Sequence, residues 1–79
     1  MTENPAETTR YDELKKLSAI ATDMLLNPKL RTEAIDLIGE IGTHEALLAL
    51  LELAANERLN VSERDLALKR ARDIVKSGR

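Results

Sequence analysis

The chain repeats itself, and that limits what it can fold into more than anything else in the sequence. Displaced by 33 residues it aligns with itself without a gap: Leu14 falls on Leu47, Leu17 on Leu50, Ile20 on Leu53, Ala21 on Ala54, Asn27 on Asn60, Arg31 on Arg64, Ala34 on Ala67 and Ile41 on Ile74. Matches among leucines and alanines mean little in a chain rich in both. The weight lies in the polar pairs, Asn27 with Asn60 and Arg31 with Arg64, and in the unbroken register. Within each period apolar residues recur at three and four positions, the spacing of one helical face, so the unit is a pair of helices. A period of this length with two helices is the signature of an α-solenoid, where no unit buries its apolar face alone and stacking supplies the core.

Composition agrees. Hydrophobic residues make up 43% of the chain, nearly all Leu, Ala and Ile, and Tyr11 is the sole aromatic. Leu and Ala favour helices, whereas strands prefer β-branched and aromatic side chains, so the expected class is all-α. At 79 residues there is room for one small domain, whose core needs very regular packing or a partner to be stable. Without cysteine there are no disulfides or thiolate metal sites, and nothing argues for an oxidising compartment. Twelve basic against 14 acidic residues leave a net charge of −2, no field to gather polyanions. The opening MTENPAETT lacks the basic flank and apolar stretch of a signal peptide, and no run approaches the roughly 18 apolar residues of a membrane span. A cytoplasmic protein without a membrane partner is the expectation.

Residues 1–8, with Pro5 and little to bury, read as a frayed leader, followed by a single domain over 9–78. Thr8 or Thr9 caps a first helix over about 9–26, with Leu14, Leu17, Ala21, Met24 and Leu25 on one face. Asn27 and Pro28 stop it and start a second over 29–41, striped by Leu30, Ala34, Leu37, Ile38 and Ile41. Gly42 supplies a left-handed stop and Thr43 caps a third helix over 43–56, with Glu45 in its first turn. So short a link predicts that helices two and three lie antiparallel as a hairpin. Helix three is the most apolar and is expected at the centre of the core: Ala46, Leu47, Leu50, Leu51 and Ala54 form one face, which Leu48 and Leu53 extend. Ser62 caps a fourth helix over 62–77, with Leu66, Ala67, Ala71, Ile74 and Val75 as its buried side.

In order, Arg31, Ala34, Ile38, Gly39, Ile41 and Gly42, then Glu45, Ala46, Leu47, Leu50 and Leu51, make residues 27–55 resemble the short HEAT-like repeat of the phycobilisome lyase type. The aromatic contacts of tetratricopeptide repeats and the TPLH turn of ankyrin repeats are missing. The second copy keeps Arg64, Ala67, Leu68, Ala71 and Ile74, but Arg72 and Val75 stand where the two glycines belong. The resemblance implies a four-helix α-α superhelix of HEAT/armadillo type, two repeats of about 33 residues entered half a repeat early. It implies structural roles for Ala34 and Gly39, small where helices cross, for Gly42 at the turn, and for Arg31 and Arg64 as links to an acidic group or carbonyl of an adjoining repeat. Helices one and three would then line the inner face, with Asp12, Lys15, Ala19 and Thr22 outward on one and Glu45, Leu48, Glu52 and Ala55 on the other.

The partner-binding candidates are accordingly Lys15, Ala19, Thr22, Glu45, Leu48 and Glu52. The implied function is a non-catalytic protein–protein interaction module or small scaffolding adaptor, acting through self-association or a protein partner. One alternative is an accessory subunit of a chromophore (bilin) lyase type complex, since such proteins carry this repeat. Another is a small helical nucleic-acid-binding protein, but a helix-turn-helix built from helices two and three would carry Glu45 and Glu52 and no Lys or Arg on its recognition helix. His44 is the lone histidine, and the pairs Glu40/Glu45 and Glu52/Glu57 lack an apolar pocket to tune them. No catalytic, cofactor or metal residue is assigned, and an enzyme is not expected. Lys69, Arg70, Arg72, Lys76 and Arg79 gather toward a helix C-terminus, where cations complement the dipole.

Overall fold

A computed structural model describes the backbone of residues 5–77 and the side chains of residues 12–77. They form four helices and no strand: α1 (Pro5–Ala21), α2 (Pro28–Ile41), α3 (His44–Ala54) and α4 (Val61–Lys76). α1 starts at Pro5, inside the expected leader, so Thr8 and Thr9 are helical residues and not its cap. Met1 to Asn4 of that leader lie outside the described residues.

α1 also stops earlier than its apolar spacing suggests, because side chains near its end compete with the helix for backbone partners. Thr22 Oγ1 donates to the Ser18 carbonyl at 2.9 Å, and Asp23 Oδ1 accepts from the Leu25 amide at 3.0 Å, an Asx turn. Leu25 is carried off the helix to 96% exposure, away from the core it was expected to join.

The same turn follows α3. Asn56 Oδ1 accepts from the Arg58 amide at 2.9 Å. The amides of Thr22, Asp23 and Leu26 donate to the carbonyls of Ser18, Ile20 and Asp23, and those of Ala55, Asn56 and Leu59 donate to Leu51, Leu53 and Asn56. Every partner has moved by 33 positions. Asn27 then caps α2 by accepting from the Lys29 amide, and Asn60 caps α4 by accepting from Glu63, whose carboxylate returns to the Asn60 amide. This capping box moves the start of α4 to Val61 and takes the capping role away from Ser62. Between α2 and α3, Gly42 sits at φ 70° and Thr43 Oγ1 accepts from the Ala46 amide at 3.1 Å.

α2 and α4 lie side by side and parallel, since Arg31 meets Glu63 near their starts and Asp36 meets Arg70 further along. α1 packs across α2 and α3 across α4, while α1 and α3 touch sparingly. The main hairpins are therefore α1–α2 and α3–α4, not the α2–α3 pair that the short Gly42 link suggested. α3, which buries Ala46, Leu50 and Leu53, packs most on α4 and less on α2.

Among the described residues, five of the twelve in the core are alanines (Ala21, Ala34, Ala46, Ala67 and Ala71), which lets backbones approach closely. Leu14, Ile35, Ile38, Leu50, Leu53, Leu59 and Ile74 fill the rest. The burial in α2 is rotated from the expected stripe: Arg31 and Ile35 are buried, whereas Leu30 and Leu37 are nearly half exposed. In α3 Leu50 is fully buried and Leu47 packs at the core's margin, but Leu51 is 42% exposed. In α4 Ile74 is buried and Val75 faces solvent.

Candidate interaction surfaces

Two polar clasps hold α4 against α2. Arg31, in the first turn of α2, donates from Nε to Glu63 Oε2 at 2.9 Å, with Nη2 also 2.9 Å from that oxygen. Its Nη1 donates to the carbonyls of Leu26 at 2.7 Å and Asp23 at 3.4 Å. Both charged side chains are more than nine-tenths buried. A pair so desolvated sets which residues align more than it adds stability, because the Coulomb gain is spent on stripping water. Arg64, the repeat-equivalent of Arg31, donates its Nε to the Ala54 carbonyl at 2.8 Å and has no carboxylate partner among the described residues.

The second clasp is Arg70, whose guanidinium lies over Gly39. Its Nη2 donates to the Asp36 carbonyl at 3.2 Å, and Asp36 and Asp73 carboxylates stand 3.8 and 3.9 Å away. A Cβ at Gly39 would collide with Nε of Arg70 and sit 2.9 Å from its Nη2 and 3.0 Å from its Cζ. Gly39 thus makes room for a cationic side chain, where the sequence suggested only a close helix crossing.

A polar cleft runs between α1 and α3, lined by Ser18, Ala19 and Thr22 on one side and Ala49, Glu52, Leu53 and Asn56 on the other. It gathers three of the sequence-predicted contact residues: Ala19, Thr22 and Glu52. Lys15, Glu45 and Leu48 are exposed but do not line it, as are Asp12 and Ala55. An apolar groove of about 470 Å³ lies between α1 and α2, floored by Leu17, Leu37 and Ile41 and rimmed by Glu13, Lys16 and Glu40.

The 33-residue displacement explains which leucines are left uncovered. The α4 residues that clasp α2, Glu63 and Arg70, become Leu30 and Leu37 when moved back one repeat. The α2 residues that receive them, Arg31, Asp36 and Gly39, become Arg64, Lys69 and Arg72 when moved forward. Leu30 and Leu37 therefore occupy on α2 the face by which α4 docks, and Arg64, Lys69 and Arg72 occupy on α4 the face by which α2 receives it. On α4, Val61, Leu68 and Val75 are exposed at seven-residue intervals, close to one stripe. The alignment that revealed the repeat carried this signal, but an apolar stripe alone does not say whether a neighbour covers it.

His44, Glu40, Glu45, Glu52 and Glu57 are all exposed, as are Lys69, Arg72 and Lys76. Arg79 lies outside the described residues. Among the described residues no three His, Asp or Glu side chains converge as metal ligands would, and no helix is long and apolar enough to cross a membrane. Comparison of the chain with protein-family models, curated proteins and solved structures returns no match.

Proposed function

We propose that this chain is a non-catalytic, cytoplasmic protein-interaction module, a short HEAT-like α-α superhelix whose binding surfaces are its uncovered helix faces. One observation carries the reading: nine large apolar side chains are exposed among the described residues, and Leu30 and Leu37 on α2 with Val61, Leu68 and Val75 on α4 line up on the outer edges of the stack. Isolated exposed leucines need no explanation, but aligned ones on helix faces built to pack are characteristic of recognition surfaces. The parallel α2 and α4, joined through arginine clasps, and the Asx turn that recurs after α1 and α3 support the superhelical description. The exposed acidic side chains of α3, Glu45 and Glu52, oppose entry into a nucleic-acid groove.

The test is capture of binding proteins from source lysate by the immobilised chain, compared with Leu30→Glu/Leu37→Glu and Leu68→Glu/Val75→Glu variants of unchanged helicity. Proteins identified by mass spectrometry that bind the parent but are lost from one edge variant support the reading. A chain that retains nothing and stays monomeric in solution would sink it.

A further inference from the structure

We infer that the two open edges recognise each other between copies, so that the α1–α2 edge of one chain docks head to tail on the α3–α4 edge of a second. This rests on the interaction reading above and names the occupant of both edges. The template is internal, because the α3–α4 hairpin already docks on the α1–α2 hairpin through the opposite pair of faces. A joint between copies places the 33-residue equivalents of those faces together: Leu30 and Leu37 from one chain against Arg64, Lys69 and Arg72 from the other.

Charge and shape both fit that pairing. The first edge carries Glu13, Glu33 and Glu40 against Lys16, and the second carries Arg64, Lys69 and Arg72 against Asp65 and Glu52. Like edges would set acid against acid or base against base, so the charges favour unlike edges. Where Arg70 lies over Gly39 inside the chain, the joint brings Arg72 onto Leu37, and the long side chain now comes from the receiving helix. Its alkyl stem covers the leucine, with Glu33 and Glu40 one turn to either side on α2 as partners for its head. Ile20 on α1, at the place where Leu53 faces the cleft, adds apolar surface on the same edge, and Leu51 and Leu68 answer it on the other. The buried pair is not rebuilt, since Arg64 would face Leu30 in place of a carboxylate. The joint between copies is therefore weaker than the one within the chain, and reversible. A contact between unlike faces is not closed by two copies, so association continues into rings or short rows.

Sedimentation velocity of the full chain, from micromolar to millimolar, with Leu37→Glu and Leu68→Glu variants, tests the assignment. Both leucines are nearly half exposed, so the variants fold, which far-UV circular dichroism checks. The parent grows past a dimer, each variant alone is monomeric, and an equal mixture of the two forms a dimer, each supplying the edge the other lacks. Association of the parent weakens at high salt. As a second check, Glu40→Arg or Arg72→Glu alone weakens association about tenfold, and both in one chain restore it. Self-association that survives Leu37→Glu or Leu68→Glu means like edges pair, and overturns the inference. So does a mixture that stays monomeric, or a parent that is monomeric throughout. In that last case, edge-dependent capture of another protein still upholds the broader interaction reading, so the two failures are distinguishable.

Discussion

Replacing Arg31 with Met should cost far more than the same change at Arg64, although the two residues hold the same place in the repeat. Arg31→Met leaves the Glu63 carboxylate, whose side chain is 3% exposed, without its cation, and frees the Leu26 carbonyl that Nη1 holds at 2.7 Å. Breaking a buried pair from one side costs about 3–5 kcal/mol. At roughly 0.05–0.15 kcal/mol per residue, a chain of 79 residues has about 4–12 kcal/mol of stability in total, so about a quarter or more is lost. Arg64→Met removes one hydrogen bond, to the Ala54 carbonyl, and costs about 1 kcal/mol. Arg31→Met/Glu63→Leu removes both charges and recovers most of the loss, short of about 1 kcal/mol because Glu63 also closes the capping box on Asn60. Urea unfolding followed by far-UV circular dichroism measures all four chains, the right probe because Tyr11 is the sole aromatic. Unchanged slopes confirm that midpoints report stability. Two arginine variants within about 1 kcal/mol of each other, or a double variant no more stable than Arg31→Met, would refute these unequal roles.

Other substitutions separate the remaining claims. Gly39→Ala gains about 1 kcal/mol of helix propensity but pushes on the Arg70 guanidinium, so it stays within about 1 kcal/mol of the parent, and in an Arg70→Ala background it stabilises by that amount. Leu50→Ala lowers stability by about 2–5 kcal/mol, and Leu51→Ala, at a 42% exposed site, by less than about 1 kcal/mol; equal losses in thermal unfolding would contradict this difference in burial. Asn60→Ala costs about 1 kcal/mol and Ser62→Ala only a few tenths, a comparison of melting midpoints that identifies the cap of α4.

Much of the fold was legible because local chemistry dictated it. Asn27–Pro28, Gly42 and Thr43 each fix a helix end through their own backbone or side-chain bonds, and they do so here. The missed ends had equally local causes: Asp23 closes an Asx turn that unwinds α1, and Asn60 with Glu63 outcompetes Ser62. The burial of α2 was harder to read. Leu30 and Leu37 show the apolar spacing of a packed face, yet packing depends on what lies opposite, and in this chain nothing described covers them while Arg31 goes inside on a carboxylate 32 positions away. Of the candidate contact residues, Ala19, Thr22 and Glu52 share a cleft because α1 and α3 keep the repeat register, whereas Lys15, Glu45 and Leu48 fall outside it. Arg70 read as one more cation of a basic helix end, since its Gly39 seat is 31 residues distant in sequence.

The path of polar bonds from Asp23 and Leu26 through Arg31 and Glu63 to Asn60 wires the turn after α1 to the turn after α3. Neither hairpin therefore owns a complete set of partners, and fraying at one turn strips a ligand from the other. Amide hydrogens in the two turns should exchange through one shared opening rather than two separate ones, which makes this pair of repeats a single cooperative unit with one melting transition.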